Sequence, residues 1–334
     1  MKVLIIKPSA LGDIVLSLPL VYNLKKIGCK VDYIVFKEFS DLFELVDGID
    51  NLFSLERKFY KKPIYFFNFI KELRKNFYDY VIDLQGLFRS GILAFFSKAK
   101  EKIAHSLCRE FSYFFVKPVS KFSNEEHVVY RNLRTYEYIT KNKNYQIVFP
   151  WKKEKFKNYY LFEKDKNFIY LGLSPLSTSI YRNYPLEFYP SLLKKIKKNF
   201  PNLKIVLFGT SKQKEKLKGL ISFLESFFDV HFINLVGKTN LKELISNIYL
   251  CDYFLAPDTG PMHIAWSLGV KTVALFGSTS WIMKGPLKNG ISVYKKIDCN
   301  PCEKSKPNCY FPRCMYSISQ WDIIKAFEKL KTLK

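Results

Sequence analysis

No apolar run in this chain of 334 residues approaches the roughly 20 residues that a membrane-spanning helix needs. A helical membrane body is therefore not expected. The N-terminus, Met1-Lys2-Val3-Leu4-Ile5-Ile6, has the hydrophobicity of a signal peptide but not its layout. Lys7 interrupts the apolar stretch, Asp13 follows, and no small-residue cleavage site is apparent. It reads as a first strand, and the expected location is the cytoplasm. Low-complexity tracts and an obvious repeat between the halves are missing too. With 48% hydrophobic residues, the composition is neither disordered nor fibrous.

Carboxylates are scarce. The chain has 30 Asp plus Glu against 54 Lys plus Arg, a net charge of +24. Such a surface attracts nucleic acid, an anionic membrane or an acidic substrate. No zinc-finger, helix-turn-helix or RNA-binding signature accompanies the charge, so no nucleic-acid partner is expected. The richness in Lys, Asn, Ile, Phe and Tyr also suggests a composition bias in which many lysines are only solvated surface. Two phosphate-binding signatures are absent as well. The turn after the first strand, Lys7-Pro8-Ser9-Ala10-Leu11-Gly12-Asp13, is neither a G-x-G-x-x-G fingerprint nor a Walker A loop. Simple dehydrogenase and ATPase readings lose weight accordingly.

What is present alternates. Lys2–Ile6, Val31–Phe36 and Asp79–Leu84 read as strands; Ile14–Ile27 and Leu87–Ser97 read as helices. Residues 141–166 are Lys-rich and aromatic without a clean period, and read as a linker or domain crossing. A second series follows, with strands at Phe168–Leu173, Leu203–Phe208, His231–Leu235, Tyr253–Ala256 and Thr272–Phe276. Its helices are expected at Leu186–Asn199, Lys212–Phe228, Leu241–Ile248 and, amphipathic, Gln320–Leu333. The expected class is α/β: two consecutive doubly wound domains, 1–150 and 151–334, with ligands at the carboxyl ends of the strands. The C-terminal helix is allowed to pack back on the N-terminal domain.

The most informative segment is Asp258-Thr259-Gly260-Pro261-Met262-His263, where a buried strand hands over to a helix. Unpaired N–H groups and the helix dipole favour an anion there, although for the motif taken alone an ordinary cap with Pro261 at the first helical position is the plainer reading. Other strand-end loops of the second half carry similar chemistry. Ser174–Arg182 is rich in hydroxyls, and its Arg182 could fork onto a phosphate, although an exposed loop arginine is the plainer reading. Gly209–Gln213 and Val236–Asn240 are further strand-to-helix turns, with Thr239 or Asn240 as the cap of the helix that follows. Four such loops in succession favour a nucleotide site. Asp13 is open to two readings, a helix cap or a carboxylate that takes a proton from a substrate hydroxyl.

Taken in order, Ser9-Ala10-Leu11-Gly12-Asp13, Asp83-Leu84-Gln85-Gly86-Leu87, Val236-Gly237-Lys238-Thr239 and Asp258–His263 resemble glycosyltransferase family 9, the ADP-heptose:lipopolysaccharide heptosyltransferases. The resemblance spans nearly the whole chain. It implies the GT-B architecture, two Rossmann-like doubly wound domains facing a central cleft. It also implies inverting, metal-independent transfer of L-glycero-D-manno-heptose from ADP-heptose to the lipopolysaccharide inner core, at the cytoplasmic face of the inner membrane. On this resemblance Asp13 is the general base. Thr178, Arg182, Thr259 and Gly260 hold the donor phosphates, Asp258 and His263 line the sugar side, and Thr239 and Gln213 complete the donor wall. Ser9, Gly12, Gln85, Arg57, Lys58 and Arg89 are placed with the anionic acceptor. Two positions depart from the family pattern: Arg182 stands where lysine is common, and Gln213 where an acidic residue usually meets the ribose. A different sugar or acceptor within the same family is the first alternative; a basic nucleic-acid-binding protein and a non-catalytic nucleotide-binding module are more distant ones.

Beside the basic residues Arg57, Lys58, Lys61 and Lys62 runs Pro63-Ile64-Tyr65-Phe66-Phe67-Asn68-Phe69-Ile70. Cations with aromatics suit a membrane surface, whereas the plainer reading half-buries the run in the core. Of seven cysteines, Cys29, Cys108 and Cys251 are scattered among apolar residues and read as inert. Cys299, Cys302, Cys309 and Cys314 form a C-x₂-C-x₆-C-x₄-C group. They suit a structural Zn or Fe ion, or are simply reduced thiols. No cofactor is expected for catalysis.

Overall fold

The continuous apolar runs form central parallel strands. In β1 (Lys2–Ile6) four of the five residues are buried, and β7 (Ile169–Leu173) shows the same pattern. A strand covered by helices on both faces has no polar side to present, which explains the lack of alternation. The structure is a computed structural model that describes residues 1–332, except 107, 122, 124 and 303–308. The chain divides into two compact units, Met1–Lys153 and Glu154–Lys334.

In the first unit β1 is flanked by β2 (Lys30–Phe36) and β4 (Tyr78–Asp83). β3 (Asn51–Leu55), β5 (Ala99–Ala104) and β6 (Lys117–Pro118) complete a parallel sheet of order β3-β2-β1-β4-β5-β6. Its helices are α1 (Leu11–Val15), α2 (Leu18–Lys26), α3 (Pro63–Leu73), α4 (Phe88–Phe96) and α5 (Val128–Thr140). The single helix expected over Ile14–Ile27 is two. Pro19 cannot donate an N–H to the Val15 carbonyl and crowds it, and the Ser17 hydroxyl donates instead to the Ile14 carbonyl at 2.7 Å.

The second unit repeats the topology. β7 lies between β8 (Leu203–Leu207) and β10 (Tyr253–Pro257), with β9 (Phe232–Asn234), β11 (Lys271–Leu275) and β12 (Gly290–Val293) outside them, in the order β12-β11-β10-β7-β8-β9. The helices are α6 (Tyr189–Asn199), α7 (Lys214–Phe228), α8 (Leu241–Tyr249), α9 (Gly260–Ser267), α10 (Trp281–Lys284), α11 (Arg313–Tyr316) and α12 (Gln320–Thr332). The helices expected from Leu186 and Lys212 each begin as a short 3₁₀ turn, Leu186–Phe188 and Ser211–Gln213, before becoming α. α12, which the sequence left free to return to the N-terminal domain, buries Ile323, Ile324, Phe327 and Leu330 in the core of the second unit. Each unit has its own apolar core, around Leu4, Ile6, Ile34 and Val81 in one and Leu171, Leu173, Leu207 and Leu255 in the other.

In both sheets the chain runs outward from one central strand, then returns to the other central strand and runs outward the opposite way. The reversal falls between β1 and β4 and between β7 and β10. Loops leaving the carboxyl ends of such a pair diverge and leave a crevice. That places the turn after β1 beside the turn after β4, and the turn after β7 beside the turn after β10.

Candidate functional site

In the first unit the chain extends past β1 while still paired with β2, through bonds from Lys7 N to Ile34 O (3.2 Å) and from Phe36 N to Pro8 O (3.1 Å). The Ser9 N–H donates to Gln85 Oε1 at 3.3 Å, which ties the two switch-point turns together. Asp13 sits in the first turn of α1, its side chain 35% exposed, with the Lys7 ammonium 3.5 Å away. Lys7 is otherwise buried. Its charge also acts on two further buried groups. Asp83, at the end of β4, accepts from the Gln85 and Gly86 N–H groups at 2.9 and 3.1 Å and from the Ser90 hydroxyl at 2.8 Å. Burial pushes its carboxyl up to about 6 despite those bonds and the Lys7 charge. The buried His105 donates from Nε2 to the Leu84 carbonyl at 3.0 Å. Burial, and then Lys7, push it down to about 3, so its ring is neutral.

The remaining acceptor-side candidates stand on the same edge. Gly12 lies within α1. Arg57 and Lys58 follow the carboxyl end of β3, and Arg89 is in the first turn of α4. Arg57 is paired with Glu38 and lies over the Phe36 ring, while the Arg89 guanidinium lies 4.2 Å from the Tyr60 ring centroid. Lys58 is exposed.

In the second unit the turns after β7 and β10 meet through an ion pair. Arg182 Nη1, in the 3₁₀ turn Ile180–Arg182, lies 3.4 Å from Asp258 Oδ2. Asp258 Oδ1 receives a hydrogen bond from His263 Nε2 at 3.1 Å, and the Trp266 indole N–H points at His263 Nδ1 from 3.5 Å. Burial alone would raise the Asp258 carboxyl. The His263 hydrogen bond and the charges of Lys284, His263 and Arg182 outweigh burial and hold it well below the usual carboxylate range. Its Oδ2 makes no hydrogen bond among the described residues.

The caps show which loop groups are already engaged. Thr259 is the N-cap of α9, and its hydroxyl accepts from Met262 N at 3.4 Å. Pro261 brings no N–H, so the Gly260 amide is the first-turn donor that this cap leaves over. Asn240, not Thr239, caps α8, with Oδ1 accepting from Glu243 N at 3.0 Å; Thr239 is left half-buried beside it. Gln213 uses both ends of its amide: Oε1 accepts from Thr210 N at 2.8 Å and Nε2 donates to Leu176 O at 3.2 Å. Gly237, at φ +70°, donates to the Gly209 carbonyl at 2.8 Å and joins the turns after β8 and β9. Thr178 is exposed in the loop after β7.

Three features of these edges escaped the sequence reading. Lys7 looked like an interruption in a strand, although a lysine at the end of a buried strand has to meet a carboxylate. Lys284 closes α10 and acts on Asp258 from a distance; no motif marks it. Gly277-Ser278-Thr279-Ser280 follows β11, next to β10. Its three hydroxyl residues are buried, and Thr279 Oγ1 has no partner among the described residues. A Gly-Ser-Thr-Ser run directly after an apolar strand was the available signal.

Two of the four clustered cysteines pack against that loop. Cys302 Sγ lies 3.7 Å from the Ser278 carbonyl, and a Cβ placed on Gly277 would lie 2.8 Å from Cys314 Sγ. Burial first, and then charge on Cys299, Cys302 and Cys309, push the Cys314 thiol up to about 11. Among the described residues, no three His, Cys, Asp or Glu side chains converge as metal ligands do. No helix among them is long and apolar enough to cross a membrane.

Two doubly wound units in one chain, each with polar and charged loops at its switch point, are the make-up of the GT-B glycosyltransferases. The comparisons specify the family. The model for glycosyltransferase family 9 (heptosyltransferase) matches residues 66–310. Lipooligosaccharide heptosyltransferase 2 of Campylobacter jejuni serotype O:6 is 30% identical over 99% of this chain and 100% of its own length. Among solved structures, the Escherichia coli heptosyltransferase WaaC with ADP aligns with a TM-score of 0.78 at 19% identity, covering 99% of this chain and 100% of that one. The E. coli ADP-heptose LPS heptosyltransferase II aligns at 0.77 and 19% identity, covering 99% and 98%. The chain belongs to glycosyltransferase family 9 and is a glycosyltransferase of the heptosyltransferase type.

Proposed function

We propose that this enzyme transfers L-glycero-D-manno-heptose from ADP-heptose to an anionic sugar of the lipopolysaccharide inner core, with inversion at the anomeric carbon. The observation that carries the reading is the Arg182–Asp258–His263 cluster at the switch point of the second unit. There a guanidinium, a helix-start amide and a carboxylate oxygen without a hydrogen-bond partner among the described residues stand together, as a sugar diphosphate requires.

The reaction breaks the bond between the anomeric carbon and the ADP oxygen and forms a bond to an acceptor oxygen from the opposite face. Negative charge grows on the departing diphosphate. Arg182, the Gly260 amide at the start of α9, and the hydroxyls of Thr178 and Thr259 stabilise that charge. Asp258 Oδ2 accepts from a sugar hydroxyl, while His263 keeps the carboxylate ionised and oriented. Thr239 and Gln213 border the nucleotide. Asp13 removes the acceptor proton, a contribution commonly worth ~10²–10⁴-fold, with the Lys7 ammonium 3.5 Å away to orient it. Ser9, Gly12, Gln85, Arg57, Lys58 and Arg89 receive the acceptor. A lipid-linked acceptor places the work at the cytoplasmic face of the inner membrane.

The test is calorimetric titration with ADP and ADP-heptose, followed by mass analysis of transfer onto truncated lipopolysaccharides. Asp13→Asn should fold and bind ADP normally while losing ~10²-fold or more in turnover. Near-normal turnover removes Asp13 from the mechanism. ADP binding with no transfer to any acceptor reduces the protein to a nucleotide-binding module.

A structural metal ion, Zn or Fe, at Cys299, Cys302, Cys309 and Cys314 is a separate proposal, supported by the soft donor set and by the coupling of the thiols. Their present spacing is not that of ligands around an ion, so no catalytic step passes through it. Purified protein should contain about one equivalent of metal per chain, and Cys302→Ser should lose it. Metal-free protein with reactive thiols overturns the proposal.

A further inference from the structure

The first unit carries its most exposed aromatics together. On α3 the buried side is Ile70 and Leu73, yet the opposite side presents Ile64 (78% exposed) and Phe67 (67%) to solvent, where an amphipathic helix should be polar. α4 adds Phe88 and Phe95, both exposed and seven positions apart on one helix face. The 3₁₀ turn Ser112–Phe114 and its cap add Phe114 (74%) and Phe111 (62%). Ring contacts join the three elements into one face. Phe66 packs on Phe96 at 5.9 Å, Phe95 on Phe115 at 5.7 Å, and Phe88 on Phe115 at 5.5 Å. The last turn is held out by backbone in the left-handed region, with φ of +53° at Glu110 and +62° at Phe111. Non-glycine residues adopt that conformation only at a cost.

Cations accompany these rings. Arg89 lies over Tyr60, and the Lys102 ammonium lies 5.4 Å from the Phe95 ring centroid. Residues 57–76 contain seven Lys or Arg and one acidic residue, Glu72, which pairs with Lys75. The projecting rings form a raised face whose border is positive on balance, the pairs Arg57–Glu38 and Lys62–Glu56 leaving Lys58, Lys61, Lys71, Arg74 and Arg89 in excess. This complements a negatively charged, deformable surface better than a folded protein partner.

We propose that the face formed by α3, α4 and residues 111–114 inserts into an anionic phospholipid bilayer, with Ile64, Phe67, Phe111 and Phe114 entering the acyl boundary and the surrounding lysines and arginines meeting lipid phosphates. The proposal deepens the reading of a lipid-linked acceptor and rests on it for its purpose. The sequence-level reading that half-buries the run at 63–70 accounts for Ile70 and half-buries Tyr65, Phe66 and Phe69, but leaves Ile64 and Phe67 outside.

Flotation with vesicles of phosphatidylglycerol and phosphatidylethanolamine tests it, against vesicles of phosphatidylcholine alone. The full chain should float with the anionic vesicles, less so as salt is raised, and weakly with the neutral ones. The Phe67→Ser/Phe114→Ser variant should bind ~10-fold or more weakly while its circular dichroism and ADP affinity stay unchanged. Phe114→Ser alone, on a surface turn, keeps the test open if the double variant misfolds. Failure of the wild type to float, or equal binding by the variants, overturns the proposal. So does a lipid-free dimer that the variants convert to monomer, because the face is then a contact between copies. Vesicle binding without ADP binding upholds the surface and defeats the proposed function; ADP binding without vesicle binding does the reverse.

Discussion

At the scale of single residues, the first unit's switch point is a small electrostatic system centred on Lys7. It pairs with Asp13 and lends charge to Asp83 and His105. The two buried groups pull stability in opposite directions. His105 is held down to about 3. Below its unfolded value of about 6.5 the unfolded chain takes up a proton that the native state refuses, and stability falls with pH. Asp83 is raised to about 6. Between there and its unfolded value of about 3.9 the native state holds the extra proton, and stability rises as pH falls. The two contributions offset each other between roughly pH 4 and 6. Replacing Asp83 by Asn leaves His105 unopposed. Urea unfolding at a series of pH values should then show the variant losing stability faster than wild type in that window, by about 1.4 kcal/mol per pH unit. Parallel curves for the two proteins would mean that Asp83 is already ionised there.

At the scale of elements, legibility followed burial. β1, β2, β7, β8 and β10 were legible because they are apolar nearly throughout. β5 (Ala-Lys-Glu-Lys-Ile-Ala) and β6 (Lys-Pro) were not. They lie toward one side of their sheet, where polar residues are tolerated and no period stands out. α3 was missed as a helix because its outward side carries Ile64 and Phe67 while its inward side carries Ile70 and Leu73, so that apolar residues on both sides erase the 3.6-residue signal. The candidate donor loops were legible as positions, since each follows a readable strand. Their bonding was not: that Gln213 holds two loops together, or that Asn240 and not Thr239 caps α8, depends on side-chain directions that no spacing encodes. Gly172, in the middle of β7, illustrates the packing behind this edge. A Cβ there would lie 2.5 Å from the Phe254 ring and 2.9 Å from Cys251 Sγ, between two central strands. Gly172→Ala should lower stability by about 1–3 kcal/mol through overpacking and weaken ADP binding by disturbing the β7–β10 switch point. Thermal unfolding and calorimetry measure the two effects, and an unchanged melting midpoint would show that the ring and the thiol move aside freely.

At the scale of the whole molecule, the boundary is set by hydrogen bonds. Residues 142–152 have no helix or strand period, which is why 1–150 and 151–334 were the natural halves. The segment is nevertheless fastened to the first unit. Gln146 bonds with Asn23, Asp47 N donates to Pro150 O at 2.7 Å, and Lys152 N donates to Leu45 O at 2.8 Å. Trp151 pairs with Val46 as an isolated bridge. The first unit therefore ends at Lys153, where the 3₁₀ turn Lys153–Tyr159 starts, and the second begins at Glu154 within that turn, which buries Phe156. Asn247 accepts from Leu161 N at 2.8 Å and donates to Tyr159 O at 2.9 Å, so the entering chain is secured inside the second unit as well. Since each unit has its own core and its own tethered end, residues 154–334 expressed alone should fold cooperatively. The fragment contains Thr178, Arg182, Asp258 and Gly260, so it should bind ADP within about threefold of the intact enzyme and transfer nothing. Circular dichroism and calorimetry on the fragment decide the matter. A folded fragment blind to ADP, beside an intact enzyme that binds it, would show that the nucleotide needs residues of the first unit, and the assignment of the donor to the second unit alone would fall.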